Sequence, residues 1–202
     1  MAESRELNNK EQNIALQIAR QSIAAIFDNK DYQPQVKDYP IFKTKRGVFV
    51  TLRKDGGLRG CIGTFDESKP LAQTIQEMAV SAAFADPRFN QLSAAELDEI
   101  KIEISVLSPM ENIDDPGMIE TGKHGVYVQK GSKGGVYLPQ VASEEGWNRE
   151  QFLSHLCEHK AGIGRDSWRD GSAQIYIFTA QVFQECVRWL YSPERIRQLT
   201  EE

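Results

Sequence analysis

The sequence predicts an α+β fold: a largely antiparallel sheet with flanking helices, arranged as two related subdomains. Three observations carry this. Short alternating runs on either side of Gly-rich turns read as hairpins, capping boxes followed by apolar residues at helical spacing read as helices, and the order hairpin, helix, strand occurs twice.

Taken in order, Asn8 and Glu11 form a capping-box pattern that opens a helix over about 9–28. At about 100° per residue Ile14, Leu16, Ile18, Ile23, Ile26 and Phe27 share a broad apolar arc, with Gln17, Arg20, Gln21 and Asp28 opposite. A linker with Pro34 and Pro40 follows. Gly47 to Lys54 alternates as a strand, Asp55-Gly56-Gly57 turns the chain, and Leu58 to Thr64 returns. Pro70 opens a helix with Leu71, Ile75, Met78, Ala79 and Ala82 on one side, and Asp86-Pro87 ends it. Ser93 and Glu96 cap a short helix. Lys101 to Leu107 is a strand with Ile102, Ile104 and Val106 on one face and Glu103 and Ser105 on the other.

Beyond the turn-forming Asp115-Pro116-Gly117, a second hairpin pairs Gly125 to Lys130 with Gly135 to Leu138 across Gly131-Ser132-Lys133-Gly134. Asn148 and Gln151 cap a helix that runs to about Ala161 and stops at Gly162. Ala173 to Phe183 reads as one long strand, and Ser192-Pro193 opens a last helix. Gly47-Val48-Phe49-Val50 matches Gly125-Val126-Tyr127-Val128 at a spacing of 78 residues, which carries Gly56-Gly57 onto Gly134-Gly135 and Cys61 onto Pro139. The single domain, 1–202, therefore divides into subdomains at about 1–115 and 116–202. A groove where the halves meet is the expected place for a ligand.

With 40% hydrophobic and 26% charged residues, the 202-residue chain has the composition of a globular protein. Its 24 Lys and Arg against 29 Asp and Glu, a formal charge of −5, argue against a general attraction to nucleic acid or to an anionic membrane. No apolar run is long enough to span a bilayer, and Met1 to Asn13 lacks the core of a secretory signal. Three widely spaced cysteines, Cys61, Cys157 and Cys186, suit free thiols in a cytoplasmic protein.

The richest stretch is Leu58-Arg59-Gly60-Cys61-Ile62-Gly63-Thr64, whose meaning depends on hairpin register. A two-residue turn would put Cys61 with Val48, Val50 and Leu52, buried. A three-residue turn with a bulge at Gly57 collects Val48, Val50, Leu52, Leu58, Gly60 and Ile62 on one face and Phe49, Thr51, Arg53, Arg59, Cys61 and Gly63 on the other. The second register separates apolar from polar more cleanly and is the one expected.

On that face Arg59 lies ~7 Å from Cys61 along the strand, and a nearby guanidinium favours the nucleophilic thiolate. Alternatively, Arg59 and the backbone amides at Gly60 and Gly63 bind a phosphate or carboxylate, or Cys61 is a small buried side chain and Gly60 a packing residue. His124, His155 and His159 are the possible bases for a thiol, and none is placed near Cys61 by the sequence. His155 and His159 share a helix face but have no third ligand in view, so no metal site is assigned. Asp86 and Arg88 form either an ion pair at a helix end or a substrate clamp. Trp147, Trp168 and Trp189 read as core or interface aromatics, and Glu201-Glu202 as a terminal tail.

By the Leu58 to Thr64 stretch the chain resembles the AMMECR family, whose prokaryotic members are called AmmeMemoRadiSam system protein A. Ala82 to Phe89 (AAFADPRF), Glu103 to Pro109 (EISVLSP), Tyr137 to Ala142 (YLPQVA), Gly146-Trp147 and the Cys157 to Gly162 stretch fit the same pattern. The resemblance implies an AMMECR-like α+β fold of two subdomains, no established reaction or cofactor, and an association with a Memo-like protein and a radical-SAM protein. The motif residues give the candidate set: Cys61 as the catalytic residue, and Arg59, Gly60, Gly63, Thr64, Asp86, Arg88, Glu103 and Gln140 as ligand-binding residues. The leading expectation is a small anionic or nucleotide-like ligand bound by an enzyme or enzyme component. A non-catalytic protein–protein adaptor is the alternative.

Overall fold

Residues 5–186 are described by a computed structural model, so the expected helix at Ser192-Pro193, Trp189 and the Glu201-Glu202 tail lie outside the described residues. Among the described residues, eight strands form two sheets, ordered β2-β1-β3-β8 and β4-β7-β5-β6. The chain separates into two compact units. The first runs to Val106 and resumes at Gln181; the second is Leu107–Ala180. The division thus falls ahead of residue 115, and the chain returns to the first unit because its last described strand pairs there.

In the first unit, α1 (Asn9–Phe27) begins at the expected capping box: Asn8 Oδ1 accepts from the Glu11 N–H, and Glu11 Oε2 accepts from the Asn8 N–H. Arg20 is not on a solvent side, as the periodicity suggested, but buried. Its Nε donates to Glu185 Oε1 at 2.6 Å, its Nη1 to Leu97 O and its Nη2 to Ile100 O, while Glu185 Oε2 also accepts from the Ile102 N–H. A buried pair is tolerated only when its remaining donors and acceptors are satisfied, as they are here.

β1 (Val48–Lys54) and β2 (Gly57–Thr64) are joined by a two-residue turn at Asp55-Gly56, both with left-handed φ (51° and 79°), the geometry that matches strand twist. The three-residue turn and the bulge at Gly57 are therefore corrected. The extra residue is Arg59: Arg53 pairs with Leu58, Leu52 with Gly60, and Arg59 falls between. The bulge restores the expected faces beyond it. Val50 pairs with Ile62 and Thr51 with Cys61. Leu58, ahead of the bulge, leaves the apolar face and is 41% exposed.

α2 (Leu71–Phe84) and β3 (Ile100–Leu107) complete the core, in which Val48, Val50, Leu52, Ile102 and Ile104 pack with Leu16, Ile18, Ile23, Leu71, Ile75 and Ala79. Gly60 sets how closely α2 approaches β2: a Cβ there would lie 2.2 Å from the Ala82 carbonyl oxygen. Gly63 serves a different contact, since a Cβ would strike the ring of Phe49 at 2.2 Å. Ser93 and Glu96 form the predicted capping box on a 3-10 turn, Ala94–Asp98.

In the second unit, β4 (Glu111–Ile113), which has no counterpart in the sequence reading, pairs with β7 (Gln174–Phe178), and β5 (Gly125–Lys130) pairs with both β6 (Lys133–Tyr137) and β7. The expected strand over Ala173 to Phe183 is two strands. It breaks at Thr179, whose carbonyl accepts from the Ser108 N–H and whose N–H donates to Ser108 Oγ; β8 (Ala180–Gln184) then joins the first sheet. A short helix, α3 (Pro139–Glu144), begins at Pro139. The capped helix α4 (Arg149–His155) continues as a π turn over Leu156–Lys160 and ends at Gly162, whose φ is 61°.

Each sheet sets a hairpin's return strand at one edge, its first strand next, and the strand after the helix third, so the hairpin-helix-strand order recurs in the pairing. The constant spacing does not hold through the hairpin. Val128 pairs with Gly135 where Val50 pairs with Ile62, and Pro139 starts a helix rather than matching Cys61. The glycine device recurs, because a Cβ on Gly135 would lie 2.5 Å from the Ala161 nitrogen.

Gly60→Ala is expected to destabilise by about 1–3 kcal/mol, since backbone must move, and Gly63→Ala by less, since the Phe49 ring can yield. Urea denaturation of the two variants checks the order. Arg20→Met is expected to cost about 3–5 kcal/mol by stranding Glu185, with part recovered in Arg20→Met/Glu185→Leu; a double variant no more stable than the single one contradicts the account of that pair.

Candidate functional site

β2 is an edge strand, and Cys61 sits on it in register with Thr51. The Cys61 N–H donates to Asp86 Oδ2 at 2.8 Å, and its carbonyl accepts from Arg88 Nη2 at 3.1 Å. Both peptide groups therefore point outward, away from β1, which makes Thr51–Cys61 a non-hydrogen-bonded pair in which side chains approach most closely. Thr51 Oγ1 accordingly donates to Cys61 Sγ at 3.3 Å.

Asp86 and Arg88 act on this edge as a strand would, with side-chain atoms replacing a peptide's acceptor and donor. Asp86 Oδ1 accepts from the Arg88 N–H and Nε, at 3.1 and 2.9 Å, and Oδ2 from Arg88 Nη2 at 2.7 Å. The Asp86 side chain is 2% exposed and that of Arg88 53%. The two readings of this pair, helix-end ion pair and clamp, are both present in one arrangement, and what it grips is the backbone of Cys61.

Arg59 does not join Cys61. Its guanidinium is held by Glu96, with Nε 2.9 Å from Oε1 and Nη2 3.1 Å from Oε2, and by the carbonyls of Asn90 and Gln91. It anchors the bulged strand to the loop after α2. Gly60 and Gly63 serve packing, as above, and Thr64 lies in register with Val48 and uses its hydroxyl to accept from the Asp66 N–H. Glu103 does fall in the Cys61 row, in register with Thr51 on β3, with its Oε2 3.7 Å from Arg53 Nε. Thr51 itself is absent from the sequence-derived set. The signal that finds it is cross-strand register with Cys61, available once the bulge is known.

Gln140 belongs to the second unit, on α3. All three histidines are there too, so within the first unit Cys61 has no histidine partner. His155 stacks on Trp147 with ring centroids 4.3 Å apart, and His159 lies 5.2 Å from His155. Among the described residues no three His, Cys, Asp or Glu side chains are grouped to hold a metal ion. Cys157 is fully buried, and burial pushes its thiol up to about 11, which suits a structural role.

The hydrogen bonds from Arg88 hold the Asp86 carboxyl well below the usual carboxylate range, with the Cys61 N–H adding to the effect and desolvation opposing it. Arg59, and then the Ser93 N–H, do the same for Glu96. A depressed folded-state value means that the unfolded chain binds protons first as pH falls, so the stabilisation is present above roughly pH 4 and is lost below it. Asp86→Asn is expected to be less stable than the parent at pH 7, by about 1–3 kcal/mol for the weakened bonds to Cys61 and Arg88, with the gap narrowing toward pH 2. Parallel denaturation curves at pH 7, 4 and 2.5 check it; a gap that does not change with pH contradicts it.

The AMMECR1 family pattern matches residues 16–183. A protein of Methanopyrus kandleri is 48% identical over 167 residues, 78% of this chain and 79% of the relative, and one of Methanothermobacter thermautotrophicus is 41% identical over 186 residues, 89% and 96%. The crystal structure of an uncharacterized protein from Pyrococcus horikoshii has a TM-score of 0.76 at 37% identity, covering 85% of this chain and 89% of that one. The motif, the paired sheets and these likenesses agree: the chain belongs to the AMMECR1 family.

Proposed function

We propose that this protein binds a small anionic or nucleotide-like ligand on the face of the first sheet that carries Cys61, with the thiol in contact with the ligand. The observation that carries the reading is the investment around one residue. A buried carboxylate and a guanidinium fix the Cys61 backbone from outside the sheet, while its side chain stays partly exposed and accepts from Thr51. Preorganisation of this kind is what a binding or reacting group requires and what a packing cysteine does not.

Arg59 and Arg88 are each paired with a carboxylate, but Arg59 is largely buried with its Nη1 given to the Asn90 carbonyl, whereas the Arg88 guanidinium is half exposed beside the Cys61 carbonyl and is the one an anion can reach. The association with Memo-like and radical-SAM proteins that the family resemblance implies would make the protein an enzyme or a component of a modification pathway. Unpaired Cys61, Cys157 and Cys186 support a reducing, cytosolic setting. Among the described residues no helix is long and apolar enough to cross a membrane. An adaptor role is the second reading, favoured by the exposed Leu58 on an edge strand, where another chain can dock.

Iodoacetamide labelling of the folded protein with peptide mapping tests this. Cys61 and the exposed Cys186 are expected to react and Cys157 to resist, and Arg88→Ala is expected to slow Cys61 roughly two- to fivefold by removing a nearby positive charge. Cys61 that stays unlabelled up to pH 9 while the protein is folded overturns the reading.

A further inference from the structure

The second unit carries a cleft of about 380 Å³ whose walls come from three places in the sequence. Asp114 to Gly117 follow β4, Arg149 and Glu150 begin α4, and Trp168 and Arg169 precede β7. The volume lies within the range of about 300–1,000 Å³ that small-molecule sites occupy.

Five charged side chains line the cleft, and they divide into two groups. Arg169 and Glu150 satisfy each other. Arg169 Nη2 donates to Glu150 Oε2 at 2.5 Å, its Nη1 lies 3.9 Å from Asp166, and its guanidinium sits over the Trp168 ring, 4.6 Å from the centroid. Asp114, Asp115 and Arg149 do not satisfy one another. The Arg149 Nε donates to the Ile119 carbonyl at 2.8 Å, and among the described residues neither Nη meets an acceptor. Asp115 Oδ1 accepts from the Gly117 N–H at 2.7 Å, so that carboxylate is folded onto its own turn. Asp114, among the described residues, has no partner. Exposed charges need none, but here opposite charges share one cleft, and local hydrogen bonds hold Arg149 and Asp115 apart.

The chemistry that fits follows from this pattern. The two Nη groups of a guanidinium form a fork that takes a carboxylate in two-point fashion, and a carboxylate accepts from an ammonium, which only donates. An anion alone would meet Asp114 and Asp115 as like charges, and a cation alone would meet Arg149. A molecule carrying both charges is matched at both ends. Two free carboxylates against one free guanidinium favour a second cationic group on it.

We infer that this cleft is a site for a free basic amino acid, with its carboxylate on Arg149 and its two cationic groups on Asp114 and Asp115. The cleft lies wholly within the second unit, and the inference is independent of the Cys61 reading.

Calorimetric titration of the full chain with L-lysine, with cadaverine, which lacks the carboxylate, and with hexanoate, which lacks both amines, tests it. L-lysine is expected to bind at least about tenfold more tightly than either, the span that loss of a hydrogen bond to a charged group produces. Arg149→Gln is expected to lower L-lysine to the affinity of cadaverine. Asp114→Asn, at a side chain with no partner among the described residues, is expected to weaken L-lysine and cadaverine without strengthening or weakening a neutral fold, as circular dichroism checks for both variants. If Arg149→Gln does not fold, Asp114→Asn carries the comparison. Equal binding of L-lysine and cadaverine overturns the site, because an acidic surface alone would attract both. Absence of L-lysine binding, or full L-lysine binding retained in Asp114→Asn, overturns it too.

Discussion

The carboxylate of Asp86 is the constraint on which the site depends. It lies just past the end of α2, accepts from the Cys61 N–H across 25 residues of sequence, and holds Arg88 where that side chain donates to the Cys61 carbonyl. An edge strand with both peptide groups of a residue facing outward would otherwise be a place for another chain to pair. Here a side-chain pair occupies that place. The strand is held without being covered, and the thiol is left on the open side of the register.

Three arginines of this region illustrate how sequence and structure divide the work. Arg59, Arg88 and Arg53 each meet a carboxylate, Glu96, Asp86 and Glu103 in turn, so a basic side chain in the motif is not by itself an anion site. What differs is the carboxylate's remaining duty. Glu96 also accepts from Ser93 N–H and Oγ and serves as a cap; Asp86 is spent on the Cys61 backbone; Glu103, among the described residues, has no hydrogen bond to a donor. The charge balance of the face is thus nearly closed, while its capacity to accept hydrogen bonds is not.

Much of this was legible in the residues. Capping boxes at Asn8, Ser93 and Asn148 formed as read because a cap is local, needing only residues three apart. The two faces of the first hairpin were also right around Cys61, because alternation of Val48, Val50, Leu52 and Ile62 demands one buried side. The position of the bulge was not legible, since Asp55-Gly56-Gly57 suits a two- or three-residue turn equally and only pairing with β1 places the extra residue at Arg59. Arg20 looked like a surface residue because its partner, Glu185, lies 165 residues away. Ala173 to Phe183 looked continuous because the β-forming character of Thr179 hides a break made by Ser108. The Asp86 clamp was half visible: its Asp-Pro-Arg sequence announces an ion pair, and the strand it grips is a tertiary fact.

Amide hydrogen exchange at Cys61 tests the central claim most directly. An edge-strand N–H that faces outward exchanges rapidly unless something accepts from it, whereas the Ile62 N–H lies on the other side of the strand, toward β1. The account expects Cys61 to be protected in the parent protein and to lose that protection in Asp86→Ala, with Ile62 unchanged. Equal exchange of the Cys61 amide in both proteins, with the fold intact, would contradict it.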